Sequence, residues 1–236
     1  MTKYMIKDSK DKNISQKMGW INNDNAPLYE AMPIEFFENT AKIAGLNDGY
    51  DVSAAISYIQ QAKSILEIGA GYGRVLEHII QTGYQGELVA IERNQKLCDM
   101  LREKFSSKKA TIYCADVQSV NLTTTFDLIL WMWTGICEFS PKEQLKTLSI
   151  LTAHLNKNGY IIIDIIDIEC KTIRAMKIDT HVRIAKTPFG NDYGYFPSHD
   201  ELETYRKILN LSNKEIIHYK TSTNKEKILY VFQKPG

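Results

Sequence analysis

Long hydrophobic runs are missing from this sequence. No apolar stretch approaches the roughly 20 residues that a membrane-spanning helix needs. The first residues, MTKYMIKDSKDKN, are polar and contain no apolar segment of the kind that a signal peptide carries. The sequence therefore predicts a cytoplasmic protein with no membrane segment, while secretion without a cleaved signal stays open.

A charge excess of one sign is also missing. The 236 residues include 29 Lys and Arg against 28 Asp and Glu, which gives a net charge of +1, and both signs are spread along the chain. Nucleic-acid-binding proteins usually show a marked basic excess or a basic stripe. The composition thus gives no strong nucleic-acid signal and leaves only a local basic patch open.

Cysteine is scarce. The four cysteines, at positions 98, 114, 137 and 170, form no CxxC pair and show no metal-like spacing with the five histidines. We therefore expect free thiols in a reducing compartment, and no metal site.

Strand patterns and helix patterns alternate along most of the chain. Short apolar runs typical of strands buried on both faces occur at 64–69, 87–92, 110–116, 126–133 and 160–166. Helical patterns occur at 74–83, 94–105, 140–159 and 198–209, and the last two begin with capping boxes. Two strand-like runs, 214–220 and 226–234, predict a closing antiparallel hairpin. Such repeats build an α/β fold, a parallel sheet with helices on both faces.

The chain divides into two parts on this interpretation. Residues 1–49 form an N-terminal segment, loosely ordered over about the first 25 residues and then helical at 32–45, which we expect to act as a lid. Residues 50–236 form the main domain, which opens with a helix at 50–63 that Asp51 could cap. The stretch at about 167–197 has no regular pattern and is predicted to be an insertion that faces the substrate.

The loop after the first predicted strand reads EIGAGYG, residues 67–73. Its glycines allow close approach of a ligand to the main chain. A dinucleotide fingerprint needs G-x-G-x-x-G, but Arg74 stands at its last glycine position. Glu67 would repel a diphosphate and attract an ammonium group. The expected ligand therefore has a cationic, amino-acid-like end.

Two further acids end the next two predicted strands. Glu92 stands where a carboxylate usually accepts the hydroxyls of a ribose. Asp116 can accept a hydrogen bond from an adenine amino group, and the backbone of Val117 offers a donor beside it. Together with Glu67, these acids predict a pocket for an adenosine joined to an amino acid.

The segments ILEIGAGYGRV, LVAIERN, CADV and FDLILW resemble the successive motifs of class I S-adenosylmethionine-dependent methyltransferases over about residues 50–166. The resemblance implies a Rossmann-like, doubly wound sheet of seven strands in the order 3-2-1-4-5-7-6, with strand 7 antiparallel. It also implies S-adenosyl-L-methionine as cofactor and S-adenosyl-L-homocysteine as product.

The same resemblance assigns residues to parts of the cofactor. Glu67 and the loop Gly69, Ala70, Gly71, Tyr72 and Gly73 lie at the methionine end, Glu92 at the ribose, Arg93 beside the adenosine, Asp116 and Val117 at the adenine, and Met132 and Trp133 along the cofactor. Tyr72 departs from the family's commonest loop, where a small residue or threonine is frequent. It could cover the cofactor or point into the substrate cavity.

Other side chains leave a choice between a structural and a chemical role. Trp131 is expected in the core, since it alternates with Trp133 along the strand. Arg74 could reach the cofactor, a neighbouring carboxylate or solvent. Acids placed to act on a substrate, and histidines that could act as bases, are Glu138, Asp164, His181 and His199. Cys137 lacks the Pro-Cys context of a covalent methylation mechanism.

The function predicted from these features is methyl transfer to a small molecule or a peptide or protein side chain, by an enzyme without an obvious catalytic dyad. No D/N-P-P-Y element follows the fourth strand, which argues against amine methylation of DNA. A protein that binds the cofactor as a regulator or interaction partner without turnover is the main alternative. A nicotinamide oxidoreductase is a third, and Glu67 and Arg74 argue against it. The sequence leaves the acceptor, the catalytic residues and the oligomeric state undetermined.

Overall fold

A seven-stranded sheet forms the centre of the protein in a computed structural model that describes residues 21–105, 109–166, 176–177 and 180–236. Its strands are β1 (Ser64–Ile68), β2 (Glu87–Glu92), β3 (Thr111–Cys114), β4 (Phe126–Trp131), β5 (Leu155–Ile165), β9 (Ser212–Lys220) and β10 (Glu226–Gln233). They lie in the order β3-β2-β1-β4-β5-β10-β9. Neighbours among β1–β5 are parallel, whereas β10 is antiparallel to both β5 and β9. The predicted strand order and the closing hairpin are therefore confirmed.

The central strands are buried on both faces, as their unbroken apolar runs predict. Along β4, Leu128 and Leu130 belong to one hydrophobic cluster, while Ile129 and Trp131 belong to the other. Side chains alternate between faces along a strand, so the two clusters are the two faces of the sheet. Trp131 is 1% exposed, which confirms that it is a core residue.

Helices cover both faces. The described helices are α1 (Ile21–Ala31), α2 (Ile34–Ala44), α3 (Tyr50–Ala54), α4 (Ile56–Gln61), α5 (Arg74–Gln81), α6 (Gln95–Lys104), α7 (Pro141–Ala153) and α8 (His199–Ile208). Apolar residues of α3–α6 join the cluster of Leu128 and Leu130, and those of α7 and α8 join the cluster of Trp131. None of the helices in the described ranges is long and apolar enough to cross a membrane.

Both predicted capping boxes form, at Ser140 with Glu143 and at Ser198 with Glu201. Two predicted helices are shorter or divided. The helix predicted at 50–63 is broken at Ala55, and Asp51 lies in its first turn instead of capping it, because its carboxylate binds Arg74. The helix predicted at 140–159 ends at Ala153, since β5 begins at Leu155 and includes Gly159.

The regions expected to be irregular contain regular structure. Helix α1 begins at Ile21, within the stretch expected to be loosely ordered, of which residues 1–20 lie outside the described part. In the expected insertion, β6 (Met176–Lys177), β7 (Val182–Thr187) and β8 (Gly190–Tyr195) form a separate antiparallel sheet. Polar, glycine-containing strands such as β8 lack the apolar alternation that would have revealed them. The division of the chain at residue 49 remains a prediction.

Two of the four cysteines are joined, which contradicts the expectation of free thiols. Cys98 of α6 and Cys114 at the end of β3 form a disulfide, with their Cα atoms 5.7 Å apart. This pairing could not be predicted from a local pattern, because the two cysteines are 16 residues apart and meet only when α6 packs beside β3. Cys137 is free and buried, and Cys170 lies outside the described residues.

Titration of thiols tests this disulfide. Protein purified without reductant and then denatured should expose two thiols, against four after reduction. Closing a loop of this length stabilises a protein by about 3 kcal/mol in the chain-entropy view, so reduction should lower the free energy of unfolding by about 2–3 kcal/mol. A Cys98→Ser variant, which cannot form the bridge, should already have the lower stability and respond little to reductant. Four thiols before reduction would contradict the pairing.

Candidate functional site

The glycine loop between β1 and α5 has its open side toward the carboxyl edge of the sheet. Gly69, Gly71 and Gly73 all have positive φ angles, of 70°, 56° and 84°. A Cβ atom added at Gly69 would meet nothing within 4 Å, and at Gly71 only the Gly69 carbonyl at 4.0 Å. At Gly73 it would lie 2.5 Å from the Phe105 ring. The last glycine thus lets α5 pack closely, whereas the first two leave space for a ligand against the main chain.

Glu92, at the end of β2, holds this loop in place. One carboxylate oxygen accepts a 2.8 Å hydrogen bond from the Gly71 N–H, and the other accepts one of 2.8 Å from the Asn94 N–H. The Gly69 and Ala70 N–H groups both donate to the Ile91 carbonyl, at 2.8 and 3.1 Å. Each oxygen of a carboxylate can accept more than one hydrogen bond, so Glu92 keeps the capacity to accept ribose hydroxyls.

Glu67, near the end of β1, lacks a partner for one oxygen. The residue is 2% exposed, and its Oε2 atom has no hydrogen-bond partner among the described residues. Burial raises the pKa of Glu67 to about 8, and the positive charge of Arg74 offsets part of that rise. An unpaired buried carboxylate is costly, so this position favours a ligand that brings a cation or a hydrogen-bond donor.

Arg74, at the start of α5, pairs with a neighbouring carboxylate. Its Nη1 donates to Asp51 Oδ1 at 2.9 Å and to the Leu46 carbonyl at 2.9 Å, and its Nη2 donates to Asp51 Oδ2 at 2.5 Å. Both residues are buried, at 5% and 0% exposure. The guanidinium also lies over the Trp133 ring, 5.8 Å from its centroid. Among the roles left open by the sequence, Arg74 therefore fixes α3 and Trp133 to the glycine loop.

A second buried ion pair joins β10 to β5. Lys227 donates to Asp164 Oδ2, and Tyr219 donates to Asp164 Oδ1 at 3.0 Å, with Lys227 3% and Asp164 0% exposed. Asp164 is therefore already compensated, which identifies it as a structural acid. When all are ionised, the buried acids around the crevice, Asp51, Glu67, Glu92 and Asp164, outnumber its buried cations, Arg74 and Lys227, by four to two. This imbalance favours a cationic ligand.

The backbone is strained where β4 ends. Trp133 and Thr134 have φ angles of 48° and 56°, a region that bulky and β-branched residues rarely occupy. The Thr134 N–H donates to the Asp164 carbonyl at 3.1 Å, which helps to hold the turn. Met132 is buried, and the Trp133 ring is partly exposed at the carboxyl edge of the sheet. Such outliers cluster at functional sites, and this one follows the predicted cofactor-facing segment.

The remaining predicted site residues follow β2 and β3. Asp116 is partly buried and accepts a 2.7 Å hydrogen bond at Oδ1 from the Gln118 N–H, so it also begins a turn. Val117 is 6% exposed, and Arg93 follows Glu92 directly. Because β3, β2 and β1 are neighbours in that order, the strand ends bring Glu67, Glu92 and Asp116 to one edge. Tyr72 packs instead against Ala41 and Leu46, under the N-terminal helices.

The remaining candidates for a chemical role, Cys137, His181 and His199, have different surroundings. Cys137 is 4% exposed, and burial raises the pKa of its thiol well above the usual value, so it is not a nucleophile. His181 contacts the Phe196 carbonyl through Nδ1 at 3.0 Å, and His199 contacts the Tyr230 hydroxyl at 3.1 Å. No cluster of three or more His, Cys, Asp or Glu residues suited to a metal occurs within the described ranges.

Glu138 has partners that sequence reasoning missed. Tyr29 of α1 donates to its Oε1 at 2.5 Å, and Asn25 donates to its Oε2 at 2.8 Å. Asp192 of β8 lies close enough for its charge and that of Glu138 to affect each other. The three segments that carry these residues are more than 50 positions apart in the chain, so no local pattern could have grouped them.

Comparisons with known proteins agree with this geometry. The family model described as a methyltransferase domain matches residues 65–159. An S-adenosylmethionine-dependent methyltransferase from Clostridium acetobutylicum ATCC 824 is 14% identical, with a TM-score of 0.62 over 95% of this chain and 98% of that one. The CcbJ methyltransferase from Streptomyces caelestis is 14% identical, with a TM-score of 0.65 over 92% and 98%.

A third solved structure is the 1,6-didemethyltoxoflavin-N1-methyltransferase from Burkholderia thailandensis, which contains 1,6-didemethyltoxoflavin and S-adenosylhomocysteine. It is 12% identical, with a TM-score of 0.65 over 98% of this chain and 94% of that one. Identities this low indicate a shared fold only. No curated protein sequence matches the chain.

The fold and the family match both agree with the expected resemblance to class I S-adenosylmethionine-dependent methyltransferases. The matched residues, 65–159, contain the glycine loop and all three strand-end acids. The expected cofactor of this class, S-adenosylmethionine, and its product, S-adenosylhomocysteine, agree with the match.

The buried Asp164–Lys227 pair gives a stability test of the crevice. Lys227→Met should lower the free energy of unfolding by about 3–5 kcal/mol, because it leaves a buried carboxylate without its cation. Adding Asp164→Asn should recover much of that loss, as urea denaturation would measure. The matched control is Lys220→Met on the same hairpin, whose pair with Glu226 is 59% and 75% exposed, and it should cost about 0–1 kcal/mol. A double variant less stable than Lys227→Met alone would contradict this role.

Proposed function

We propose that this protein binds S-adenosylmethionine in the crevice at the carboxyl edge of β1–β4 and transfers its methyl group to a small molecule or to a peptide or protein side chain. S-Adenosylhomocysteine is then released. The observation that carries the proposal is the unpartnered, buried Oε2 of Glu67 beside a glycine loop that is open on its ligand side.

The residues of the crevice fit the parts of this cofactor. Glu67 would accept from the ammonium group, and Gly69, Ala70, Gly71 and Gly73, with the main chain of Tyr72, would line the methionine end. Glu92 would accept the ribose hydroxyls, Arg93 would flank the adenosine, and Asp116 and Val117 would bind the adenine. Met132 and Trp133 would lie along the cofactor. The excess of buried carboxylates over buried cations favours a cation over a diphosphate-bearing nucleotide.

Catalysis then depends mainly on positioning. When bound, S-adenosylmethionine supplies a methyl group on a positively charged sulfur, which is already a good leaving group. The protein's residues fix the glycine loop, hold the turn at Trp133 and Thr134 and exclude water. Holding two reactants in line replaces a bimolecular encounter and can lower the barrier by several kcal/mol, about 7–11 in favourable cases. A strong catalytic dyad is therefore not required.

The acceptor should enter from the side on which helix α1 and strand β8 lie. Helix α1 packs on β8 of the insertion, which supports a lid over the carboxyl edge. The Burkholderia thailandensis structure, similar in fold, contains 1,6-didemethyltoxoflavin with S-adenosylhomocysteine. This supports a small molecule as the first acceptor class to test.

Binding and transfer assays test the proposal together. Calorimetry with S-adenosylmethionine and with NAD, side by side, should show binding of the first only. Transfer of a tritiated methyl group to fractions of a cell extract, separated into protein, nucleic acid and small molecules, should label one fraction. Binding without labelling of any fraction would instead indicate a cofactor-binding regulator, and NAD binding would overturn the site assignment.

The raised pKa of Glu67 makes cofactor affinity depend on pH. Ionised Glu67 binds the ammonium group, whereas the empty site favours the protonated acid with a pKa of about 8. Affinity should therefore fall as the pH is lowered, by up to about tenfold between pH 7.5 and 6.5, and binding should release protons. Calorimetry in buffers of different ionisation enthalpy measures both effects.

Two variants separate the titration of Glu67 from other effects of pH on cofactor binding. Glu67→Gln should bind S-adenosylmethionine about tenfold more weakly at pH 7.5, with little pH dependence, because a neutral amide loses the charge-assisted bond. Glu87→Gln, at the exposed amino end of β2, should behave like the wild type. Wild-type affinity that stays constant from pH 6.5 to 8 would rule out the role given to Glu67.

A further inference from the structure

A second group of polar side chains lies beside the cofactor crevice, where three separate segments meet. Asn25 and Tyr29 come from α1, Glu138 ends the 3₁₀ turn Gly135–Glu138 that follows β4, and Asp192 comes from β8. Asn25 is fully buried and donates both to Glu138 and to the Tyr193 carbonyl, while its own oxygen accepts from the Tyr193 N–H. This acceptor-side cluster is therefore held rigidly by a side chain that joins α1 to β8.

Among the described residues, the negative charge of the acceptor-side cluster is only partly compensated. Tyr29 and Asn25 donate to Glu138 but carry no charge. The Oδ1 atom of Asp192 is buried and has no hydrogen-bond partner among the described residues. Burial raises the pKa values of Tyr29 and Glu138, and the positive charge of Arg93 offsets part of that rise. Asp164 provides the contrast, since a buried lysine contacts it directly.

The position of the cluster connects it to the proposed reaction. The 3₁₀ turn follows Trp133 and Thr134 directly, so Glu138 lies at the carboxyl edge of the sheet where β4 ends. The charge of Arg93, which follows the ribose-side Glu92, acts on Glu138. Tyr29, Glu138 and Asp192 each retain partial exposure, so a small molecule can reach them.

We propose that the acceptor is an amine, and that Glu138 and Asp192, with Tyr29, bind its nitrogen and take its proton during methyl transfer. This inference rests on the proposed function and adds the acceptor atom to it. A basic nitrogen supplies the positive charge and the hydrogen-bond donors that the Asp192 oxygen lacks. A carboxylate acceptor would be repelled by both acids, and a neutral hydroxyl would leave the excess negative charge in place.

The step balances without a further reactant. The bound ammonium group first gives one proton to the carboxylate pair, which releases it to solvent. The lone pair of the resulting neutral amine forms the new C–N bond, the C–S bond of the cofactor breaks, and its electron pair stays on sulfur. The methylated nitrogen then carries the positive charge that the sulfur has lost. Burial and the mutual repulsion of the two acids raise the pKa of Asp192 to about 8, which suits a group that exchanges protons near neutral pH.

The chemical nature of the labelled product tests the proposal in the wild-type protein. After incubation of a small-molecule extract with tritiated S-adenosylmethionine, the labelled product should be retained by a cation exchanger at pH 7, and its label should survive alkaline hydrolysis. A neutral or anionic labelled product would overturn the amine assignment while leaving methyl transfer intact. Cofactor binding with no labelled product would also overturn it, and absence of cofactor binding would refute the proposed function itself.

Conservative variants test the residues. Glu138→Gln and Asp192→Asn should each lower the transfer rate to the labelled amine by about 100-fold or more, while the affinity for S-adenosylmethionine measured by calorimetry changes less than twofold. Asp192→Asn should also remove the limb of the pH–rate profile near pH 8. Asp200→Asn, an exposed acid in the first turn of α8, is the matched control and should behave like the wild type. Variants that fold and keep the wild-type rate and pH profile would overturn the catalytic assignment.

Discussion

A carboxylate buried at the end of a central strand is the constraint on which the crevice depends. Glu67 is almost inaccessible, and one of its oxygens lacks a partner in the described part of the chain. Removing such a group from water costs free energy that folding alone would avoid by placing an apolar residue there. The surrounding structure therefore has to stabilise the site in other ways, and it does so with two buried ion pairs and a loop fixed by backbone hydrogen bonds.

Those ion pairs join elements on different sides of the crevice. Arg74 joins α5 to α3 through Asp51 and to the β4 turn through Trp133. Lys227 joins β10 to β5 through Asp164, whose backbone carbonyl accepts from Thr134. A buried pair contributes little net stability compared with apolar packing, but breaking it is costly. The pairs thus fix the geometry of the glycine loop and of the strained β4 turn more than they stabilise the fold.

The cofactor half of the site could be predicted from sequence because its residues belong to local motifs. Strand, glycine loop and helix follow each other within residues 64–81, and parallel pairing brings the ends of β1, β2 and β3 together. The interactions that complete it were not predictable in the same way. The partner of Arg74 is 23 residues before it, that of Asp164 is 63 residues after it, and Cys98 meets Cys114 only through packing of α6. Polar strands such as β8 also lack a hydrophobic period.

The residues that we propose for the acceptor could not be grouped from the sequence either, because their contacts are long-range. Glu138 was recognised in the sequence as an acid that could act on a substrate, but its partners Tyr29 and Asn25 lie on α1, 109 and 113 residues before it. Asn25 in turn binds Tyr193 of β8, 168 residues after it. A site assembled from a leading helix and an insertion can change its acceptor without disturbing the sheet, because neither segment takes part in the parallel pairing. On the proposed function, the edge of the parallel sheet therefore binds the methyl donor, whereas the long-range contacts of α1 and β8 form the part of the site that we propose for the acceptor.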